Sequence, residues 1–216
     1  KSTSCCTSSS DKFKSSDFEL SYQAALKKSG CDEIPFDVNL LEVQLPIRES
    51  GLLLENENIK WIAPQNFKQL LTLKSVYPKA KIIVGNTEVG IETRFKNLVY
   101  ETLIYASNIP ELVGISETES HMIIQGCTPL STIMSYCEAK GADNKLASSY
   151  HSMLRWFAST QIRNTASLSG NLATASPISD MNPMLASSNA VIIAVSEARG
   201  ERAINVVDFF KGYRTV

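Results

Sequence analysis

Four small or polar residues, Gly85-Asn86-Thr87-Glu88, follow a run of branched apolar residues that ends at Val84. Such a turn can present successive backbone N–H groups to an anion, because glycine lets the main chain approach closely and asparagine tolerates left-handed φ/ψ angles. It could therefore hold a phosphate or pyrophosphate without a positive charge. An ordinary turn at a strand end is the alternative. A P-loop is excluded, because Ile91-Glu92 stand where Lys and Ser/Thr are required.

A second candidate segment, residues 164–183, consists mainly of small and polar side chains and carries a single charge, Asp180. Exposed loops usually carry more charge. A neutral tract of this kind favours backbone packed closely against a flat polar group. The alternative is a loop folded on itself through local side-chain hydrogen bonds.

The cysteines and histidines do not form a metal-binding pattern. The sequence has no C-x-x-C pair. Its five cysteines and two histidines are Cys5, Cys6, Cys31, Cys127, Cys137, His121 and His151. Zinc or iron–sulfur ligation by these residues is therefore not predicted. Free thiols are typical of a reducing compartment, which points to the cytosol. We interpret Cys127 and Cys137 as packing residues, and His151 as a surface residue.

Composition excludes several other function classes. A net charge of −1 provides no basic surface for nucleic acid or acidic membranes, and no apolar run approaches the roughly 18 residues of a membrane span. The length of 216 residues fits one domain or two small lobes. The chain begins Lys1-Ser2-Thr3 and ends shortly after Arg214, so we expect a piece of a longer protein.

The elements that must position the two segments follow from periodicity. Residues 1–35 are serine-rich and predict a mobile linker. Residues 60–63 and 81–84 predict strands, the second one buried, on either side of a helix over 65–77. This is a βαβ unit, which would be right-handed if its strands were parallel neighbours.

Later patterns predict further strands and helices. Strands are expected at 102–105, 121–125 and 191–195, with a hairpin turn at 199–202. Thr128 and Pro129 fit the N-cap and first position of a helix that ends at Gly141. Apolar residues at helical spacing predict one long helix over 145–161, with Phe157 on its buried face.

Taken together, these segments resemble the flavin domain of the xanthine dehydrogenase/oxidase family of molybdenum hydroxylases. The matching pieces occur in the family's order and cover roughly residues 40–216: KIIVGNTEVGIE at 81–92, IPEL at 109–112, PLS at 129–131, LRWFASTQIRN at 154–164, ASLSGNLATASPISDMNP at 166–183 and FFKGYR at 209–214. The serine-rich start resembles the connector that follows the family's iron–sulfur domains.

The resemblance implies an α+β fold of the vanillyl-alcohol-oxidase type, in which FAD lies between two α/β lobes. The FAD-binding domain would be 36–216, with a first lobe at about 50–98 and a second at about 99–216, incomplete at its C-terminus. The turn would wrap the FAD pyrophosphate with main-chain N–H groups, and a second segment would form the opposite wall. Phe157 would lie against the isoalloxazine, and Asp180 would form a hydrogen bond with a sugar-like hydroxyl of the cofactor. The implied cofactor-binding residues are Ile82, Ile83, Val84, Gly85, Asn86, Thr87, Glu88, Val89, Phe157, Ser167, Leu168, Ser169, Gly170, Asn171 and Asp180.

The resemblance also implies a function. In the family, electrons from the oxidation of hypoxanthine or xanthine pass from a molybdopterin centre through two 2Fe–2S clusters to FAD, and then to NAD⁺ or O₂. The clusters and molybdopterin would be bound by other domains of the same protein, which would be a homodimer in the cytoplasm or peroxisome. The alternatives are the flavin domain of an aldehyde oxidase, and a degenerate scaffold lobe without catalysis.

One position departs from the family pattern. Ser169-Gly170 stand where the family commonly has two glycines before the asparagine. If the first position required a positive φ, the serine would strain the loop by about 1–3 kcal/mol.

Overall fold

The computed structural model describes residues 51–216. The expected linker at 1–35, with Cys5, Cys6 and Cys31, lies outside this part of the chain. The elements are β1 (Leu52–Glu55), β2 (Lys60–Ala63), α1 (Phe67–Val76), β3 (Lys81–Ile83), α2 (Val89–Phe95), β4 (Thr102–Tyr105), a 3₁₀ turn (Pro110–Leu112), β5 (Ile115–Glu117), β6 (Met122–Ile124), α3 (Leu130–Lys140), α4 (Lys145–Leu154), α5 (Thr160–Arg163), α6 (Leu168–Thr174), α7 (Met181–Ser187), β7 (Val191–Ser196), β8 (Gly200–Asn205) and α8 (Val206–Phe209).

The first sheet has the strand order β1-β2-β4-β3, with β1 antiparallel to β2 and the other pairs parallel. Strands β2 and β3 of the predicted βαβ unit are not neighbours, because β4 lies between them and is parallel to both. Ile104, at the centre of β4, is completely buried. Strand β4, which follows the expected lobe boundary near residue 98, belongs to the same sheet as β1, β2 and β3.

Strand β3 lies at the edge of this sheet within the described residues. Ile83 is 2% exposed, whereas Ile82 is 41% exposed. The prediction of a buried strand is therefore only half right, because the face of β3 that carries Ile83 is buried and the face that carries Ile82 is exposed. Strand β3 ends at Ile83, and the chain leads through Val84 into the Gly85–Glu88 turn.

The larger core lies among the helices that follow. Leu130, Ile133 and Cys137 of α3 pack with residues of α4, including Tyr150 and Leu154. This is the apolar face that helical spacing predicts for α3, and Gly141 ends the helix as expected. Ala190 and Ile192, at the start of the β7–β8 hairpin, pack against the same core.

Thr128 does not cap α3, contrary to the sequence prediction. Pro129 occupies the cap position, and Leu130 is the first helical residue. The Thr128 hydroxyl instead donates to the carbonyl of Gly114 at 2.9 Å and accepts its N–H at 3.0 Å. Because Thr128 is completely buried, this pair of bonds satisfies its hydroxyl and fixes the approach to β5.

The single helix predicted over 145–161 is two helices. The α4 helix ends at Leu154 and α5 begins at Thr160, with Ala158 at a φ of 44° between them. Ser159 caps α5, and Arg163 donates to the carbonyls of Phe157 and Ala158 at 2.8 and 2.9 Å. These bonds satisfy carbonyl groups that a continuous helix would have used.

Candidate functional site

The turn after β3 has the backbone that its residue types predict. Asn86 adopts a φ of 56°, in the left-handed region that asparagine tolerates. Helix α2 then begins at Val89, with Glu88 at its cap position and no side-chain capping bond. The turn is therefore a short connection between a strand end and a helix start, a geometry that exposes main-chain donors.

The backbone N–H groups of residues 85–89 have no hydrogen-bond acceptor among residues 51–216. The first bonds of α2 are made by Gly90, Ile91 and Glu92, whose N–H groups donate to the carbonyls of Asn86 and Glu88. Consecutive unpaired donors ahead of a helix form a concave site suited to an anion.

The second segment is helical. Ser167 caps α6, and its Oγ accepts the N–H of Gly170 at 3.1 Å. The Ser169 hydroxyl donates to the carbonyl of Gly126, and the Ser179 hydroxyl donates to Oδ1 of Asn171 at 2.6 Å. The alternative of a polar tract organised by local side-chain bonds is therefore partly right, although the tract forms two short helices, α6 and α7, instead of a loop.

The serine at 169 causes no backbone strain. Ser169 lies inside α6 and is not among the residues with a positive φ. The condition for strain is not met, because this position has helical angles that any residue adopts. The hydroxyl instead adds a bond to the loop before α3.

The two segments meet at Gly85. A Cβ atom on Gly85 would lie 2.0 Å from the carbonyl oxygen of Thr165 and 2.8 Å from the nitrogen of Ala166. Only glycine permits this approach, and what it approaches is the chain leading into α6. Ala166 is held in turn by the N–H of Leu130, which donates to its carbonyl at 2.9 Å. The turn and the start of α6 thus share one junction.

The remaining predicted site residues lie elsewhere on the helical part. Phe157 is half-buried and packs against the helical core, as its spacing predicts. Asp180 is exposed at the start of α7, where it makes no side-chain capping bond. The roles of Phe157 and Asp180 toward a cofactor stay predictions.

A charged network adjoins the turn, and sequence reasoning assigned it no role. Nη2 of Arg214 lies 2.6 Å from Oε1 of Glu88, and Nη1 lies 3.7 Å from Oε1 of Glu92. Lys96 and Lys81 approach the same two carboxylates at 3.6 Å each. The four-residue spacing of Glu88 and Glu92 places both carboxylates on one face of α2, which is a signal that the sequence contains.

Glu92 is the buried member of this network, at 7% exposure. The Tyr100 hydroxyl donates to its Oε2 at 2.7 Å. Burial, together with this bond to an anionic acceptor, raises the pKa of Tyr100 to about 12. Tyr100 therefore remains a neutral donor over the physiological pH range.

The two described cysteines are inert packing residues, as predicted. Burial raises the pKa of both Cys127 and Cys137 to about 11, so neither is a thiolate at neutral pH.

Within residues 51–216, no group of three or more His, Cys, Asp or Glu side chains could hold a metal ion. None of the helices in this part of the chain has the length and apolar composition needed to cross a bilayer.

Comparison with known proteins finds a family match that covers most of the described residues. Residues 57–216 match the family model described as FAD binding domain in molybdopterin dehydrogenase. The chain is 42% identical over 180 residues to xanthine dehydrogenase of Oryza sativa subsp. japonica, covering 81% of the chain. It is 38% identical over 172 residues to xanthine dehydrogenase/oxidase of Gallus gallus, covering 77% of the chain. These matches span 13% of the length of each relative.

Solved structures share the fold. The chain superposes on quinoline 2-oxidoreductase from Pseudomonas putida 86 with a TM-score of 0.67 and 21% identity, over 76% of this chain and 55% of that one. Carbon monoxide dehydrogenase from Hydrogenophaga pseudoflava gives a TM-score of 0.67 and 22% identity over the same shares. At this identity the similarity establishes a common mixed helix and sheet fold.

Proposed function

Because the chain belongs to the family of FAD-binding domains in molybdopterin dehydrogenases, we propose that residues 82–89 and 167–171 hold the pyrophosphate of FAD between them. The observation that carries this proposal is the run of N–H groups at 85–89 without acceptors among the described residues, beside the start of α6. A pyrophosphate is an anion that such donors bind without a neighbouring lysine or arginine.

The donors available to the cofactor are mainly main-chain groups. The Ser169 hydroxyl donates its hydrogen to the carbonyl of Gly126, whereas the Ser167 hydroxyl accepts the N–H of Gly170 and can still donate its own hydrogen. They therefore support the position of α6, and Leu168, Gly170 and Asn171 form the rest of the second wall. Oδ1 of Asn171 accepts from Ser179, so this bond orients the amide for a further contact through its NH₂ group.

Phe157 and Asp180 complete the proposed site. An aromatic ring at the edge of the helical core can offer one face to the isoalloxazine, and stacking adds about 0.5–1.5 kcal/mol beyond burial. Asp180 is an exposed carboxylate, which is suited to accept a hydrogen bond from a ribose or ribityl hydroxyl. The fold proposed for the whole domain is of the vanillyl-alcohol-oxidase type.

When bound, FAD accepts electrons and passes them on, while the protein orients it and tunes its potential. We propose that the electrons come from two 2Fe–2S clusters, after a molybdopterin centre oxidises hypoxanthine or xanthine, and go to NAD⁺ or O₂. The names of the relatives, at 42% and 38% identity, favour a xanthine dehydrogenase over an aldehyde oxidase. A homodimer in the cytoplasm or peroxisome is part of this proposal.

Titration of the purified chain with FAD tests the cofactor assignment. We expect quenching of flavin fluorescence, competition by ADP, which carries a pyrophosphate, and much weaker binding of riboflavin, which lacks it. Riboflavin binding as tight as that of FAD would refute the pyrophosphate site, and an absence of FAD binding would favour the scaffold alternative.

For the longer protein, NAD⁺ reduction is expected with xanthine, and turnover of aldehydes alone would assign an aldehyde oxidase.

A further inference from the structure

Glu88 occupies an unfavourable place for an anion-binding turn. It is the cap residue of α2, directly next to the N–H groups of residues 85–89, and its side chain makes no capping bond. A carboxylate at a helix start is attracted to those same N–H groups. If it were free, it would compete with a phosphate for the donors and would repel the phosphate's charge.

Arg214 holds this carboxylate through an ion pair. Its Nη2 donates to Oε1 of Glu88 at 2.6 Å, while Nη1 lies 3.7 Å from the buried Glu92. Lys96 also approaches Oε1 of Glu88, but at 3.6 Å and with a more exposed side chain. The guanidinium is therefore the main partner of Glu88 among the described residues.

The backbone of Arg214 is fixed to the opposite segment. Its N–H donates to the carbonyl of Ala175 at 3.2 Å, and Ala175 is the residue that ends α6, with a φ of 47°. Arg214 itself has a φ of 53°, within a tight turn closed by a bridge between Gly212 and Thr215. One residue thus contacts both segments of the proposed site.

We propose that Arg214 is a positioning residue, which keeps the carboxylate of Glu88 away from the N–H groups of residues 85–89 and so leaves these donors to the phosphate of FAD. This inference rests on the proposed function. It assigns a role to the last residue of FFKGYR, which does not itself bind the cofactor in this proposal. Arg214 would therefore do more than link the two segments mechanically, because it would also keep the Glu88 carboxylate off the N–H groups.

A double-mutant cycle tests the proposal by FAD titration of the full chain. Arg214→Gln should weaken FAD binding by about tenfold, because a half-buried carboxylate loses its partner beside an anionic ligand. Adding Glu88→Gln should restore affinity to within about threefold of wild type, since the competing charge is gone. The loss in Arg214→Gln should also shrink as salt is raised, because repulsion is screened. Arg202→Gln, on exposed β8, is the charge-matched control and should bind FAD like wild type.

A different result is expected if Arg214 only links the two segments and does not displace the Glu88 carboxylate. In that case Glu88→Gln would leave the double variant as weak as Arg214→Gln, and this outcome would overturn the proposal. If Arg214→Gln does not fold, Arg214→Lys keeps the charge but not the two-pronged geometry, and should show a smaller loss that Glu88→Gln again reverses. Wild-type affinity in Arg214→Gln would overturn this proposal alone, whereas a wild-type chain that binds no FAD would overturn the proposed function as well.

Discussion

Replacing Gly85 by alanine perturbs the junction between the turn and the start of α6. The new Cβ atom would lie 2.0 Å from the oxygen and 2.4 Å from the carbon of the Thr165 carbonyl, and 2.8 Å from the nitrogen of Ala166. Real Cβ atoms essentially never approach closer than 3.0 Å. All three contacts are with backbone, so no side chain can rotate away, and one segment must move by about 1 Å.

The expected cost is large for a single methyl group. Overpacking typically costs 1–3 kcal/mol, and a rigid backbone contact puts Gly85→Ala at about 3 kcal/mol or more. With a urea slope of roughly 1–3 kcal/mol per molar, the unfolding midpoint should fall by about 1 M or more. FAD affinity should fall too, because the two proposed walls separate.

Gly90→Ala is the matched control in the same motif. Gly90 lies in α2, and the atoms nearest to its added Cβ would belong to the Asn86 side chain, with Nδ2 at 3.4 Å. Alanine is a better helix former than glycine, so this variant should be unchanged or more stable by about 0.5–1 kcal/mol. If Gly85→Ala unfolded at the wild-type urea concentration, the close approach of the two segments would be refuted.

Ser169→Gly should lower the unfolding free energy, measured by urea denaturation, by about 1–2 kcal/mol, because it removes a hydrogen bond and places glycine in a helix. A more stable variant would instead indicate that the serine strains the backbone at this position. Cys127 and Cys137 should resist alkylation at neutral pH until the chain unfolds, as followed by mass spectrometry of their peptides; rapid modification of the folded chain would contradict their burial. The pKa of Tyr100 in the folded chain, about 12, exceeds its ordinary value of 10.0. The stability that this tyrosine contributes should therefore be complete below pH 10 and lost as the pH rises toward 12. Tyr100→Phe should remove that part of the pH dependence of the unfolding free energy, and an unchanged pH dependence would refute the prediction. Asn171→Leu should cost most of the FAD affinity, and full affinity would count against this part of the second wall.

Local patterns predict the individual elements well. The strands at 60–63 and 102–105 have the predicted bounds, and α1 and α3 lie within a few residues of theirs. The left-handed backbone of Asn86 follows from its residue type. These features depend on side-chain periodicity, caps and intrinsic φ/ψ preferences, which neighbouring residues in the chain already determine.

Local patterns fail where distant contacts compete with them. Helical spacing continues through residues 155–159, yet Arg163 binds the carbonyls of Phe157 and Ala158 and the helix ends. Thr128 has the residue type of a cap but bonds to Gly114 instead. In both cases a polar group has two possible partners, and only the folded arrangement decides between them.

From its own residue types, the sequence determined that two nearly uncharged segments could bind an anion, and its motifs identified the family. The tertiary structure decided how they meet: β4 enters between β2 and β3, Gly85 lies against Thr165, and Arg214 reaches Glu88 across 126 positions of the chain. Contacts between residues so far apart depend on strand order and helix packing, which no local pattern specifies.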